Sequence, residues 1–479
     1  MPSPIRSSPG RAARQPSMPA DPRTQASPLT LAATLVLLFL VSLPLVTVRI
    51  YAADELQYYA QLRSLLKDGD LDCRDEYVRL LEARPWASEE RRMLVEPSTE
   101  TGVAPNFATI GAALLWAPFF LAGDAIARLG GWPADGYSMP YIAAVCYGSA
   151  LYAFAGLLLL FDVARRETSA RAAFAATLLA WWATALPFYM YVTPPMAHAT
   201  SVFASALFVW LWYRWRQSGT LGSTVALGLA GGLMTLVREQ NVMLLVLPAF
   251  DLVRGLVASR DGRRKAIVAG LVIGACFAAA LVPQFLAWNE LFGHFRPGEQ
   301  RMSFFHPWPV HLADVLLSTN HGLVSWHPVW IAGVCGLVLI SARKPSLGAP
   351  LLLGFAALTL FLSCVTNWAG GMAFGQRRML DCLFVIVVGG AALVEAIPRR
   401  VAIVAGVVLV WWNLSLLLQF GSGMIAREGP VDWREVVHNQ FVVVPRRALS
   451  IGGRYLSSPD AFTKKASLGD DTQPRMPPR

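Results

Sequence analysis

Residues 29–59 read LTLAATLVLLFLVSLPLVTVRIYAADELQYY. The stretch from Leu29 to Ile50 is long enough to cross a bilayer, for which about 20 apolar residues suffice. Two adjacent carboxylates, Asp54 and Glu55, follow almost at once. They fall at a membrane–water boundary, where a charge is tolerated only if it faces water or a polar cleft. From Leu56 to Leu66 apolar and aromatic residues recur at helical spacing, which predicts an amphipathic helix lying along the interface. The Gly69-Asp70-Leu71-Asp72 turn ends it. A carboxylate at the start of such a helix is held near the membrane surface, where it can act as a general base. Helix N-capping is the competing role for Asp54.

The rest of the chain repeats the first run. Of 479 residues 55% are hydrophobic and only 15% charged, and the mean hydropathy is +0.45. Further apolar runs cover approximately 138–161, 172–192, 197–213, 222–237, 241–257, 266–289, 322–341, 347–365, 380–397 and 401–421. The chain reads as all-α, a polytopic membrane protein with about 11 transmembrane helices and a large first outer loop, 51–137, containing interfacial helices. The net charge of +10 comes from basic residues at helix ends, not from one patch, so no nucleic-acid partner is indicated. Six scattered cysteines without a Cys-x-x-Cys pair suggest neither a zinc knuckle nor a disulfide framework. Cys364 and Cys382 lie close enough to one membrane face for a disulfide to be considered.

Arginines set the orientation. Residues 1–28 are rich in Pro, Ser, Arg and Ala and read as a disordered cytoplasmic tail, with four arginines against one aspartate. A cleaved signal peptide is the alternative, but the apolar run is too long and Tyr51-Ala52-Ala53 is a poor cleavage site. The short run Phe107–Gly123 contains Pro118 and decides the remaining topology. If it does not cross, the cytoplasmic connections carry Arg165, Arg166, Arg171, Arg214, Arg216, Arg254, Arg260, Arg263, Arg264, Lys265, Arg343, Lys344, Arg399 and Arg400. The short outer connections then hold five basic residues: Arg238, Arg296, Arg301, Arg377 and Arg378. Fourteen against five obeys the positive-inside rule, and the opposite assignment violates it. This predicts eleven spans across 29–421, the N-terminus in the cytoplasm, and residues 422–479 as an outer C-terminal tail.

All the polar clusters then share the outer face. The first outer loop is acidic, with twelve Asp and Glu against seven Lys and Arg between Tyr51 and Ala104. Arg238 lies between two apolar runs, where it is costly unless it is paired with Glu239 or meets an anion. Arg377 and Arg378 end the segment Asn367-Trp368-Ala369-Gly370-Gly371-Met372-Ala373-Phe374-Gly375-Gln376. A glycine-rich loop entering a helix start beside two guanidinium groups suits a phosphate. Pairing of Arg377 with Asp381, or contact with headgroups, is the plainer account. Five of seven histidines fall between His294 and His327, but without a zinc spacing and among Trp, Phe and Pro, so an aromatic interfacial loop is expected and no metal site. Within it, Arg296, Arg301 and His321 are candidates for substrate contacts. No phosphate-cradling, dinucleotide or Gly-x-Ser-x-Gly motif occurs.

Together, Tyr51-Ala52-Ala53-Asp54-Glu55-Leu56-Gln57-Tyr58-Tyr59, Trp368-Ala369-Gly370-Gly371 and Phe374-Gly375-Gln376-Arg377 resemble the GT-C superfamily of integral-membrane glycosyltransferases. That superfamily includes the lipid A aminoarabinose transferase, the protein O-mannosyltransferases and the oligosaccharyltransferase catalytic subunit. The resemblance implies a bacterial inner-membrane enzyme using a sugar donor carried on a polyprenyl phosphate. The acceptor would be a lipid, glycan or protein of the cell envelope. The catalytic residue maps to Asp54, with Glu55 beside it, and the donor phosphate to Arg377, Arg378 and Arg238. Trp368, Gln376 and His198 become candidate contacts. Many members have another acid in the second outer loop. Here it reads Thr193-Pro194-Pro195-Met196-Ala197-His198, which leaves His198 as its polar group. A divalent cation is compatible with the family but not required. A polysaccharide polymerase or ligase using lipid-linked sugars stays open, and so does a transporter or flippase. The latter would place charges near the midplane and show repeated halves.

Overall fold

The computed structural model describes residues 27–82 and 88–458. The expected tail at 1–28 and the last residues of the outer tail lie almost wholly outside them. Among the described residues the fold is helical, with one isolated bridge between Phe305 and Val365. The main helices are α1 (Pro28–Ser42), α2 (Ala53–Arg63), α3 (Ile110–Leu129), α4 (Met139–Glu167), α5 (Ala170–Trp182), α6 (Ala197–Ser218), α7 (Leu221–Val237), α8 (Arg260–Phe292), α9 (Val329–Arg343), α10 (Pro345–Ser363), α11 (Arg399–Gly421) and α12 (Val444–Ser457).

Every apolar run carries helix, but not in one form. Six segments are long and apolar enough to cross a membrane: 28–45, α3, α4, α8, α10 and α11. The other runs are shorter, more polar or interrupted. Run 172–192 breaks after Trp182 and resumes as a π turn, Phe188–Val192, and run 380–397 holds a 3-10 turn, a π turn and the short helix Gly390–Ala396. Irregular backbone at membrane depth is tolerated only where protein buries it, and Phe188–Val192 and Met379–Ala392 are buried throughout.

Small residues let these helices approach closely. In α4, a Cβ on Gly156 would meet the Val202 carbonyl of α6 at 2.9 Å. In α7, Gly228 and Gly232 face Ile273 and Ala280 of α8 in the same order, so these two helices run parallel. Helix ends follow local rules. Ser259 caps α8 through Gly262 N, and Gly293, at φ 73°, ends it.

Two expectations are corrected. The helix at the start of the first loop is not an amphipathic strip lying on the interface. Leu56, Gln57, Tyr59, Ala60, Gln61 and Leu62 are all buried, against α3 and the 104–109 segment. Gly69 does end it, at φ 79°, with its N–H on the Ser64 carbonyl. The run 107–123 forms a helix from Ile110 that continues to Leu129, past Asp124, which Lys67, Arg128 and Tyr141 all engage. Its 20 residues satisfy the length of a span, contrary to the short segment expected. Its neighbours are informative. Gly111 touches the backbone at Leu236 at the end of α7, and Trp116 Nε1 donates to Thr200 near the start of α6 at 2.9 Å. From there α3 runs antiparallel to the first half of α4, pairing Leu115 with Tyr152, Phe119 with Gly148, and Gly123 with Tyr141. It thus leaves the ends of α6 and α7 and does not lie along them.

Candidate active site

Helix α2 begins at the site. Its N-cap is Ala52, which has no side-chain acceptor, so its free N–H groups need another partner. Glu55 turns back over the helix start: Oε2 accepts from the N-cap Ala52 N at 2.9 Å and from Tyr51 N before it at 2.5 Å, and the residue is fully buried. Glu55 thus closes the start of α2 through the backbone of the N-cap. Asp54 points elsewhere. Its Oδ2 lies 3.0 Å from Arg377 Nη2, and its side chain stays 44% exposed.

Arg377 reaches Asp54 from the glycine-rich loop. Gly370, Gly371 and Gly375 have φ of 78°, 65° and 60°, which side chains other than glycine rarely adopt. At Gly375 a Cβ would also strike the His327 ring at 2.1 Å. The loop is pinned from behind: Tyr189 Oη accepts from Phe374 N at 2.9 Å, Gln376 Nε2 donates to the Trp368 carbonyl at 3.0 Å, and the His321 ring meets the Ala369 carbonyl at 3.1 Å. His321, Trp368 and Gln376 thus hold the loop and do not line the cavity. The expected helix start is only a 3-10 turn, Arg377–Cys382, and its Arg377 and Met379 N–H groups bond to Gly375 O and Gln376 O. Those amides are used internally.

Arg238, the C-cap of α7, turns toward Asp381: Nε lies 3.7 Å from Oδ2. Its Nη1 is 3.1 Å from the buried His198 ring. Gln240 ties the two segments together, donating to Asp381 Oδ2 at 3.0 Å and to Arg378 O at 2.9 Å. Asp381 is therefore engaged by Arg238 and Gln240 while Arg377 pairs with Asp54. Arg378 Nη1 donates to Asn367 O at 2.7 Å. Burial alone would raise the Asp54 carboxyl, but Arg377, Arg238 and Arg378 outweigh it and hold the group below its ordinary value.

Asp54, Arg238, Arg377 and Arg378 share a cavity of about 570 Å³. Glu239, Gln240, Gln57 and Asn367 complete its polar wall, and Phe107, Met302, Phe304, Phe305, Phe361 and Leu362 form an apolar one. Arg296 stands apart, exposed, with Nη2 at 4.0 Å from Glu299. Arg301 lies in the short helix Glu299–Met302, and its side chain is outside the described residues. Among the described residues no three His, Cys, Asp or Glu side chains converge as a metal site, and Cys364 and Cys382 are free thiols. Tyr189 and the aromatic wall were not anticipated. Tyr189 sits inside an apolar run where nothing marks it, and the Phe304–Phe305 pair reads as interfacial.

No family model matches this chain, and no curated protein does. Among solved structures, ArnT from Cupriavidus metallidurans bound to undecaprenyl phosphate is similar at TM-score 0.46 and 14% identity, over 91% of this chain and 76% of that one. That likeness is too loose to carry a function.

Proposed function

We propose that this chain transfers a sugar from a polyprenyl-phosphate-linked donor to a cell-envelope acceptor at the outer face of the bacterial inner membrane. One observation carries the reading: a carboxylate and three guanidinium groups line the same cavity as Phe107, Phe304, Phe305, Phe361 and Leu362, and the carboxylate pairs with one of those guanidinium groups. A lipid phosphate likewise joins charged and apolar chemistry. In the proposed reaction Asp54 takes the proton from the acceptor hydroxyl or amine as that atom attacks the anomeric carbon. The bond from that carbon to the phosphate oxygen breaks, and its electron pair leaves with the polyprenyl phosphate. Arg377, with Arg378 and Arg238, meets the growing charge, which is where fixed cations accelerate most. Inversion at the anomeric carbon is by analogy with the resembled superfamily. In this reading α3 does not cross, eleven spans place both walls on the outer side, and the C-terminus lies outside. The neighbours of α3 and the distribution of basic residues support that topology.

The test is reconstitution with undecaprenyl-phosphate sugars, combined with mass spectrometry of lipid-linked sugars and envelope glycans from a deletion strain. Accumulation of one lipid-linked sugar with loss of one glycan modification is expected. Unchanged pools, together with failure of the purified protein to bind undecaprenyl phosphate over undecaprenol, overturn the reading.

A further inference from the structure

The last described helix, α12, has three faces. Val444 and Ile451 are buried, and Tyr455 donates to the Leu45 carbonyl at 2.6 Å, just past the end of α1. The opposite face is apolar and open: Leu449 is 95% and Leu456 60% exposed. Seven residues apart, these two differ by only about 20° around the helix. Val437 and Phe441 in the preceding turns are also exposed. Arg446, Arg447 and Arg454 occupy the third face, at roughly 60° to 160° from Leu449 and all on one flank. No carboxylate pairs with them among the described residues.

Such a division has a physical meaning at this location. The bond to Leu45 fixes the helix at the end of a segment whose Leu37, Leu40 and Val41 are themselves exposed apolar residues. α12 is thus held beside an exposed apolar surface. A basic flank beside it matches the plane of lipid headgroups, which attract arginine when they are anionic. We propose that α12 is an in-plane anchor that binds anionic phospholipid headgroups through Arg446, Arg447 and Arg454 while Leu449 and Leu456 enter the acyl region. This is independent of the transferase reading.

The test uses the full chain in vesicles of phosphatidylcholine with or without phosphatidylglycerol. Spin labels are placed at Leu449→Cys and, separately, Arg447→Cys, in a background lacking the native cysteines. The label at 449 is expected to collide with dissolved oxygen and that at 447 with a water-soluble nickel chelate. Phosphatidylglycerol is expected to raise the thermal midpoint of the parent but not of the triple variant Arg446→Gln, Arg447→Gln, Arg454→Gln. Chelate access at 449 places the helix in water and overturns the proposal. Exclusion of both agents there means that protein covers the stripe, and also overturns it. An undiminished phosphatidylglycerol shift in the triple variant removes the arginines as the headgroup site. Leu449 and the three arginines are exposed, so their substitution should leave folding intact; the cysteine-free background, which also replaces buried Cys73, Cys146, Cys364 and Cys382, must first reproduce the thermal midpoint of the parent.

Discussion

Two clusters of charge lie at opposite ends of this helical bundle, and they are built differently. At the end marked by Arg165 and Arg166, Lys344 Nζ meets Glu167 at 2.8 Å and Arg216 Nε meets Asp251 at 3.1 Å. Tyr213 donates to Glu167 at 2.7 Å and Trp212 to Asp251 at 2.9 Å, so each carboxylate there is held by a cation and an aromatic donor. Glu167, Tyr213, Arg216, Asp251 and Lys344 line a cavity of about 500 Å³, but they are matched to one another. At the Asp54 end the matching is incomplete. Arg377 Nε, Arg238 Nε and Asp381 Oδ1 are buried without a hydrogen bond, and Asp54 keeps a face on the cavity. Leaving a buried polar atom unsatisfied costs about 1–3 kcal/mol. The two cavities are of similar size but differ in how completely the polar atoms beside them are satisfied.

The sharpest way to break this contrast is Asp54→Asn. Transfer is expected to fall by about 10²–10⁴-fold, the range for loss of a general base, with donor binding retained. Normal activity in a reconstituted assay would reduce Asp54 to a partner for Arg377. Next in size is Arg377. Alanine there should cost about 10²–10³-fold in turnover, and lysine should also impair it, because the ammonium lacks the two-pronged donor. Comparing donor affinity with single-turnover rate separates ground-state binding from transition-state stabilisation. If alanine at both Arg377 and Arg378 leaves both measures intact, the phosphate is held elsewhere.

The pH profile tests the same pair. Because Asp54 is held below its ordinary value in the free protein, its basic form persists to lower pH there, and the acid limb of kcat/KM, which reports the free protein, should lie below about 3.9. Activity is lost only as pH falls through that depressed value. Arg377→Gln removes one of the groups that depress it and should shift the limb upward; an unmoved limb means that another group titrates. At the opposite end, Lys344→Ala should leave transfer unchanged and lower stability by under about 1 kcal/mol, since its ammonium is largely exposed. A loss of activity there would erase the distinction between the two ends. Smallest, Tyr189→Phe removes the acceptor for Phe374 N and should destabilise the protein by about 1 kcal/mol. Its effect on rate should appear in turnover more than in donor affinity.

Much of this was legible from residues alone, for reasons that differ by element. The apolar runs were readable because hydrocarbon demands length and composition of every span. Their interruptions at Phe188–Val192 and Val385–Gly389 were not, because a broken helix and a whole one have the same composition. Asp54 and Arg377 could each be singled out as a costly charge beside an apolar run, but nothing in either segment showed that they meet across 323 positions. That Asp54 meets Arg377 while Glu55 folds back on the backbone of Tyr51 and Ala52 depends on a single register step at the start of α2, finer than periodicity resolves. That amides of the glycine-rich loop close on the loop itself was not readable, because it depends on three positive φ angles.

The 3.0 Å contact between Asp54 and Arg377 has a kinetic consequence under the proposed reaction. One guanidinium serves two anions in turn. While it holds the carboxylate, the base is masked, and water in the cavity finds a poor proton acceptor. A donor phosphate that takes over the fork also unmasks the base beside it. Substrates would then add in a compulsory order, lipid donor before acceptor, and a reactive glycosyl donor would be spared hydrolysis while it waits.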